Sequence, residues 1–410
     1  MKRTVVTWTL SLFFLFSFTA CFAGDRQGSR LLQVSFFNGG KLFTAGRLKV
    51  VQLNGSYRQM GRQYGWLLRD DLNRLYEIAI NSRFIGKQGF THERLQVIAQ
   101  SIFDVYPQRF KEIIYGMAET SGLGIDKQIV LNAIEWYPKI NSFIPRCSGL
   151  AVWGDYTGGG PLVFGRNNDD SSFYKEFAEF MVVTVFNPND SSIPAAIINY
   201  AGVMYAPTGI SREGIFLELN SGNWTGYYPD RLSIFVTLFS FLQDFSSLSE
   251  LDTAFQSTRV NLSSIINAAD KTSACSYECP TFAVKRRGPD RDGLLAATNH
   301  FVDPSWELPP QPDDEGTEWT VTRRNNLLAL AEKYKGAFDA EKVQEVLDTT
   351  IENGGATYPG GTIYQVVAVP EELKLWLKAP GLFEWQEVDL KDRKSTRKEE
   401  RKQHSFSLNN

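Results

Sequence analysis

Residues 146–170 read RCSGLAVWGDYTGGGPLVFGRNNDD, and the hydrophobic pattern of the whole chain changes within this stretch. Before it, apolar residues recur at the spacing of one helical face, as they do over residues 57–78. After it, short runs of β-branched and aromatic residues are separated by Gly, Pro, Asn and Asp, which is typical of strands and turns. The stretch therefore predicts a helical segment followed by a domain built on β-sheet.

The elements on either side of this stretch follow from the same patterns. Helices are expected at about 57–78, 95–105, 110–118 and 126–136, so that residues 25–145 are mostly helical. Later elements are expected in this order: strands at 149–153, 162–165, 180–186, 195–200 and 214–219, helices at 232–244 and 248–258, strands at 281–285 and 294–298, helices at 323–334 and 341–350, and strands at 363–369 and 374–377. Alternating blocks of strands and helices favour a layered α+β fold over a doubly wound α/β fold.

The residues that could carry chemistry lie on a predicted hairpin. Cys147 opens one strand, Gly158–Gly160 turn the chain, and the second strand ends with Arg166 and Asp169. This hairpin brings a guanidinium and a carboxylate close to a thiol. The chain has only three His residues, so histidine-rich metal sites and clustered histidine bases are excluded. A cysteine nucleophile that lacks a histidine needs such neighbours.

Cys147 at the head of one strand and Gly165-Arg166-Asn167-x-Asp169 at the end of the next resemble the start of the mature chain in linear amide C–N hydrolases. This family of N-terminal-nucleophile (Ntn) hydrolases includes choloylglycine hydrolases, penicillin V acylase, acid ceramidase-like amidases and the penicillin acyltransferase group. Further segments are similar to family motifs and follow in the same order: Gly209–Asn220, Thr298–Phe301, Thr322–Arg324 and Thr362–Pro370. Residues 55–65, with the helical prosegment, resemble the acyltransferase-type branch.

The resemblance implies a four-layer αββα Ntn-hydrolase sandwich over residues 147–390, with residues 24–146 as an N-terminal helical prosegment. It implies self-cleavage between Arg146 and Cys147, after which the prosegment stays bound as a small chain. No metal or organic cofactor is implied. The implied site residues are Cys147 as nucleophile, Arg166 lowering the thiol pKa, Asp169 orienting the new α-amine, Asn220 and Asn299 holding the oxyanion, and Arg323 or Arg324.

Cleavage before Cys147 would remove the need for a histidine base. The freed α-amine has a reference pKa of about 7.7–8.0, which suits a general base near neutral pH. The same residue then supplies nucleophile and base, and its attack on an amide carbonyl gives a thioester acyl-enzyme. The expected activity is hydrolysis of the linear amide bond of an N-acyl substrate with an apolar acyl part.

Several alternatives stay open at this level. The same site would also serve an acyltransferase or a phospholipase-type acyl hydrolase, and a chain that had lost processing would be an inactive secreted binding protein. Cys147 with His300 would form a papain-like pair. Single residues also have structural interpretations: Arg166–Asp169 as a hairpin salt bridge, Asn220 as a turn residue, and His300 as a cap.

The two ends of the chain carry signals of their own. Residues 1–23 have a positive start, a short apolar run and small residues at the exit, which predicts a secretory signal peptide and a periplasmic or extracellular protein. Because Thr19-Ala20-Cys21 resembles a lipoprotein cleavage site, lipidation of Cys21 with membrane association is the alternative. Residues 391–410 are rich in charge and predict a disordered tail. The net charge of −3 argues against a nucleic-acid partner.

Three cysteines follow the predicted signal peptide: Cys147, Cys275 and Cys279. An odd number in an exported protein leaves at least one thiol free or bonded to another chain. Cys275 and Cys279 form either a local disulfide or two buried thiols, and the sequence leaves both possibilities open.

Overall fold

The structure, a computed structural model, describes residues 31–141 and 147–391, with side chains up to residue 139 in the first range. The predicted signal peptide with Cys21, the residue Arg146, and residues 392–410 of the charged tail lie outside the described residues. In the described part of the chain, no helix combines the length and the apolar character that crossing a membrane requires.

The described residues form ten α-helices and sixteen strands. The helices are α1 Tyr57–Leu67, α2 Arg69–Leu75, α3 His92–Asp104, α4 Gln108–Ser121, α5 Ile125–Asn132, α6 Trp136–Asn141, α7 Ile234–Asp244, α8 Leu248–Ser257, α9 Thr320–Lys333 and α10 Ala340–Asp348, and a π-helical segment, Tyr76–Lys87, continues α2. The strands are β1 Leu32–Phe37, β2 Gly40–Ala45, β3 Leu48–Gly55, β4 Ser148–Val152, β5 Val163–Asp169, β6 Met181–Pro188, β7 Ala195–Tyr200, β8 Thr208–Ser211, β9 Phe216–Ser221, β10 Ser264–Ala269, β11 Ala274–Cys279, β12 Lys285–Arg287, β13 Leu294–Ala297, β14 Thr362–Val369, β15 Lys374–Ala379 and β16 Phe383–Asp389.

The first three strands correct the expectation that residues 25–145 are mostly helical. The helical prediction holds from Tyr57 onward, but residues 32–55 form an antiparallel meander. The side chains of β2 largely alternate between more and less buried positions, and Gly39 and Gly46 adopt positive φ at the two turns. A sheet forms here because a period of two over a run rich in Val and Leu outweighs helix propensity.

Two sheets organise the chain. The first has ten strands in the order β1-β2-β3-β6-β7-β8-β9-β10-β11-β12, and the second has six in the order β13-β4-β5-β14-β15-β16. β3 pairs in parallel with β6, whereas the other neighbouring strands described are antiparallel. Residues 32–55 therefore share one sheet with strands that follow Cys147.

The two sheets pack face to face. Phe164 of β5 and Phe216 of β9 meet across the interface with their ring centroids 5.0 Å apart. Helix α10 covers the other face of the second sheet, where a Cβ atom at Gly165 would lie 2.5 Å from Val343. Helix α7 covers the first sheet in the same way, because a Cβ atom at Gly209 of β8 would lie 2.5 Å from Leu242. The prediction of an α+β fold with two sheets is confirmed.

Helix α1 packs against α4 with the two backbones in contact. A Cβ atom at Gly61 would lie 2.1 Å from the carbonyl oxygen of Ile113, and one at Gly65 would lie 2.5 Å from that of Met117. Any larger residue at these positions would push the helices apart. The repeated glycines of residues 55–65 therefore have a packing reason within the N-terminal segment.

Strands β10, β11 and β16 were not expected. The prediction of a strand at 281–285 is wrong, because β12 begins only at Lys285. β10 and β11 are buried along their whole length, yet they carry polar residues such as Asn267, Ser276 and Glu278. Polar residues at buried positions remove the hydrophobic period that identifies a strand. Their partners lie elsewhere in the chain, so no local pattern reveals them.

The cysteines of β11 do not form a disulfide. Cys275 and Cys279 are both buried free thiols. Four residues of extended strand separate their Cα atoms by about 13 Å, whereas a disulfide needs roughly 4.4–6.8 Å. The alternative of two reduced, buried thiols is therefore the one that the structure shows.

Candidate active site

The predicted hairpin is present and places Arg166 beside the Cys147 thiol. Cys147 directly precedes β4, which pairs with β5. Its Sγ atom lies 3.7 Å from Nη2 of Arg166, 3.6 Å from the main-chain oxygen of Asp169 and 3.9 Å from Oδ1 of Asn168. Cys147 is 7% exposed and has a φ of +97°, a conformation that strains the backbone of any residue other than glycine.

Arg166 is held from the opposite sheet. Its Nη1 atom donates to Glu218 Oε2 over 2.6 Å and to the Pro207 oxygen over 3.0 Å, while Nη2 donates to Asn168 Oδ1 over 2.6 Å. Arg166 and Glu218 are both fully buried, so this is an ion pair between the two layers of sheet. Asn267 of β10 also donates to Glu218. These contacts fix the guanidinium next to the thiol.

Glu218 was not among the residues predicted for the site. It lies within the run Ile215-Phe216-Leu217-Glu218-Leu219, where a single carboxylate interrupts an apolar strand. A charged residue is almost never fully buried without a partner. That interruption could have identified Glu218 as a buried, paired residue. The sequence contains no indication of which cation would form the ion pair with it.

Asp169 pairs with a different arginine. Its Oδ1 accepts a hydrogen bond from the Thr362 hydroxyl over 2.6 Å, and its Oδ2 lies 3.4 Å from Nη1 of Arg323. The sequence allowed the interpretation that Arg166 and Asp169 form a salt bridge within the hairpin. The ion pairs that the structure describes run instead from Arg166 to Glu218 and from Asp169 to Arg323.

Arg323, rather than Arg324, lies in this cluster. Arg323 is fully buried and donates to the Cys147 carbonyl oxygen over 2.9 Å and to Asn299 Oδ1 over 2.7 Å. Arg324 instead forms an ion pair with Asp290. One residue of helical rotation separates the two side chains by about 100°, so only the placement of α9 decides which of them reaches Cys147.

The two asparagines predicted as oxyanion donors are both buried, but their bonding differs. Nδ2 of Asn299 donates to the Ser221 oxygen over 2.9 Å. Asn220 is 0% exposed; neither polar atom of its amide makes a hydrogen bond of standard geometry within the described residues, but the amide interacts with the Glu218 carboxylate. Its neighbours Leu219 and Ser221 line the cavity around Cys147, whereas Asn220 itself is not among the lining residues. An amide buried with so little hydrogen bonding is costly, roughly 1–3 kcal/mol, and its role as an oxyanion donor stays a prediction.

We expect Asn220→Ala to lower kcat by about 10²–10³-fold, the usual effect of losing one oxyanion donor. The melting temperature should change little, since the substitution removes no hydrogen bond of standard geometry. Steady-state kinetics and calorimetry measure the two effects. Asn187→Ala is the matched control, because Asn187 donates to Leu53 and its loss should lower stability but leave kcat unchanged. A lower melting temperature with unchanged kcat for Asn220→Ala would assign it a structural role.

His300 does not pair with Cys147. Its Nδ1 atom lies 3.0 Å from the Thr320 hydroxyl and 3.3 Å from that of Thr298, and His300 is not among the residues that line the cavity around Cys147. Burial lowers the pKa of His300 to about 4, which makes it a poor proton acceptor at neutral pH. The papain-like alternative has no geometric support.

The cavity around Cys147 has a volume of about 580 Å³, including its open mouth. Its wall contains a group that sequence reasoning missed, namely Glu135, Pro138 and Lys139 from the segment that precedes Cys147. Nζ of Lys139 lies 3.1 Å from Oδ2 of Asp170. The N-terminal segment therefore forms part of the candidate site itself.

The thiol is not activated in the chain as described. Burial raises the pKa of Cys147 to about 12, and this effect outweighs the lowering by Arg166. Since the thiolate is the nucleophile, a thiol with this pKa is largely inert at neutral pH. A further proton acceptor is needed for nucleophilic chemistry.

No family model and no curated protein matches the chain. The fold is similar to several solved structures. An ortholog of N-acylethanolamine-hydrolyzing acid amidase from Caenorhabditis elegans is 18% identical, with 55% of this chain and 93% of that chain covered and a TM-score of 0.42. A variant of the conjugated bile acid hydrolase from Clostridium perfringens is 14% identical, with 59% and 92% covered and a TM-score of 0.45. Penicillin V acylase from Agrobacterium tumefaciens is 11% identical, with 60% and 86% covered and a TM-score of 0.41. These neighbours are choloylglycine hydrolases and related Ntn hydrolases, the group that the order of motifs resembles.

Proposed function

We propose that this protein is an exported, self-processing cysteine hydrolase that cleaves the linear amide bond of an N-acyl substrate. The observation that carries the proposal is the buried Cys147 thiol, 3.7 Å from a guanidinium that an ion pair between the two sheets holds in place. The direct test is release of amine from an N-dodecanoyl amide by the wild-type protein and none by the Cys147→Ala chain.

Self-processing supplies the missing proton acceptor. The Cys147 sulfur attacks the carbonyl carbon of the preceding residue, and the peptide C–N bond breaks as the acyl group moves to sulfur. Water then hydrolyses the thioester, which frees the thiol and leaves an α-amine on Cys147. The strained φ of Cys147 favours this step, because cleavage releases the constraint on the backbone.

Turnover then uses one residue as nucleophile and base. The α-amine takes the thiol proton, and the sulfur attacks the substrate carbonyl to form a tetrahedral oxyanion. The side-chain amide of Asn220 donates to this oxyanion. Collapse breaks the substrate C–N bond, the leaving amine takes the proton from the α-ammonium, and a thioester remains. Water, deprotonated by the α-amine, attacks the thioester and releases the acid.

The surrounding charges have separate tasks in this scheme. Arg166 favours the thiolate, and Glu218 keeps the guanidinium in position. Asp169 accepts a hydrogen bond from the α-ammonium and orients it, while Arg323 neutralises Asp169 and fixes the Cys147 carbonyl. Each cation is thus matched by a carboxylate, which makes the burial of four charges tolerable.

The prosegment stays bound after cleavage in this proposal. β3 pairs with β6 along seven residue pairs, and α1 and α4 pack into the same core. Glu135 and Lys139 line the cavity, so loss of the small chain would open the site. The two chains therefore behave as one enzyme.

We expect the thiol of the cut chain to react with iodoacetamide at pH 7 at least 100-fold faster than the thiol of any uncut chain in the same sample. In the uncut chain the pKa of about 12 keeps the thiol protonated, and its labelling rate should rise about tenfold per pH unit between pH 7 and 10. Intact mass spectrometry separates the two species and measures both rates. The buried thiols of Cys275 and Cys279 serve as internal references, because cleavage does not alter their surroundings. Equal rates in cut and uncut chains would contradict activation by the α-amine.

A further inference from the structure

The charged wall of the cavity suggests what kind of substrate this site accepts. Glu135 and Lys139 come from the segment before Cys147, and Asp170 follows β5 directly. All three line the same cavity as the Cys147 thiol. The mechanism assigns none of them a task, so their charges are available to act on the substrate.

The formal charge of this wall is negative. Within the catalytic cluster, Arg166 is matched by Glu218, and Asp169 is matched by Arg323. These pairs add no net charge. The remaining wall has two carboxylates, Glu135 and Asp170, and a single ammonium, so its formal charge is −1 while the α-amine of the cut chain is neutral, the form in which it acts as the base.

Both cations that line the cavity are already paired. Nζ of Lys139 lies 3.1 Å from Asp170, and Nη1 of Arg166 lies 2.6 Å from Glu218. An incoming carboxylate would therefore have to break an existing ion pair or lie close to an uncompensated negative charge. Each of these costs binding energy at a partly buried site.

Glu135 is positioned to act on a ligand. It is 6% exposed, Nδ2 of Asn199 lies 3.4 Å from its Oε2, and it also interacts with the Tyr205 hydroxyl and with the charge of Lys139. Asn199 uses the same amide nitrogen for the Tyr205 carbonyl oxygen at 3.1 Å. A carboxylate has about four acceptor sites, so these contacts leave it acceptor capacity. A hydroxyl, amide or ammonium group of a substrate would satisfy it.

We infer that the cavity selects amides whose amine part is neutral or cationic and discriminates against amides that carry a carboxylate beside the scissile bond. The inference rests on the proposed amidase function and deepens it, because it names the class of amine that this site accepts. Glu135 and Asp170 set the selectivity, and Lys139 reduces it by neutralising one of them. All three lie on the cavity wall, whereas the catalytic cluster stays the same for every substrate.

The test uses three substrates that share one acyl group and differ in charge. They are N-dodecanoylglycine, which bears a carboxylate, N-dodecanoylglycinamide, its neutral isostere, and N-dodecanoyl-1,2-diaminoethane, which bears an ammonium group. We expect the wild-type protein to prefer the neutral over the carboxylate substrate by roughly 10- to 100-fold in kcat/KM, the size of one charge interaction across several ångströms. The ammonium substrate should be hydrolysed at least as well as the neutral one.

Variants assign the selectivity to particular side chains. Glu135→Gln and Asp170→Asn should each reduce the ratio of neutral to carboxylate kcat/KM by about tenfold, whereas Lys139→Gln should increase it. Glu179→Gln is the matched control, because it removes the same charge from an exposed helix pair with Arg74 and should leave the ratio unchanged. A ratio measured within one sample does not depend on how much of a variant is folded.

The possible failures can be told apart. Hydrolysis of none of the three amides would overturn the proposed function and the inference with it. Hydrolysis of N-dodecanoylglycine as fast as its neutral isostere would overturn the inference and leave the amidase intact. A ratio that stays the same in Glu135→Gln and Asp170→Asn would overturn the role of these carboxylates.

Discussion

Denaturing mass spectrometry of the purified wild-type protein should show two polypeptides, one ending at Arg146 and one spanning residues 147–410, whereas Cys147→Ala should remain a single chain. The same substitution should lower amide hydrolysis by roughly 10⁶-fold, as removal of a catalytic nucleophile does. Both effects follow from one sulfur atom that serves first in self-cleavage and then in turnover. This is the largest effect that we expect from any single substitution.

The other cysteines provide the control for this experiment. Cys275→Ala and Cys279→Ala each remove a buried thiol from β11 and should leave cleavage and hydrolysis unchanged. They should lower stability by the modest amount that a small buried side chain contributes, about 1 kcal/mol. An uncut wild-type chain that still hydrolyses amides would contradict the proposed mechanism. An uncut and inactive wild-type chain would favour the binding-protein alternative.

Arg166→Met should have the second largest effect, because it leaves Glu218 buried without its cation. Breaking one partner of a buried ion pair costs about 3–5 kcal/mol. Urea denaturation should therefore show that the free energy of unfolding falls by this amount. Amide hydrolysis should be lost as well. Arg74→Met, which breaks an exposed pair with Glu179, should cost less than about 1 kcal/mol.

A double variant separates stability from catalysis in this pair. Arg166→Met combined with Glu218→Gln removes both charges and keeps the oxygen that Asn267 contacts, so most of the lost stability should return. Activity should not return, since the thiol still lacks its cation. Recovery of activity along with stability would mean that Arg166 has only a structural role.

The stability loss in Arg166→Met should also depend on pH. Burial raises the pKa of Glu218 even in the wild-type protein, where Arg166 opposes this effect. Without Arg166 the pKa rises further, so the folded state favours the protonated carboxyl group. Stability contributed by a raised pKa is complete below the unfolded value near 4.3 and is lost as the pH rises. The difference in unfolding free energy between wild type and Arg166→Met should therefore be smaller at pH 5 than at pH 8.

Much of the fold could be predicted from local patterns. Strands β4 to β7 and helices α3, α4, α7 and α10 lie close to the expected positions, because each shows a clear period or a clear boundary. Residues 32–55 were assigned to the helical segment although they alternate, and β10 and β11 were missed because they bury polar side chains. Local patterns fail where buried positions are occupied by residues whose partners lie far along the chain.

The candidate site was predicted in part. The six predicted residues are all buried, on strands, on helix α9 or within two residues of a strand, and their catalytic roles stay predictions: Cys147, Arg166, Asp169, Asn220, Asn299 and Arg323. The sequence did not indicate Glu218 as the partner of Arg166 or the contribution of Glu135 and Lys139 to the cavity. Arg166 and Glu218 are 52 positions apart, and Glu135 and Lys139 lie on the other side of the proposed cleavage point from Cys147.

By itself, the sequence determined part of the order of helices and strands after residue 57, a thiol at the change of period, and the shortage of histidine that makes a self-supplied base attractive. Only the tertiary structure decided that Arg323 rather than Arg324 meets Cys147, that Glu218 balances Arg166, and that the N-terminal segment forms a cavity wall. The physical reason is that periodicity reports which face of an element is apolar. The pairing of buried charges depends on how two sheets and a helix are placed against each other, and residues that are distant in sequence determine that placement.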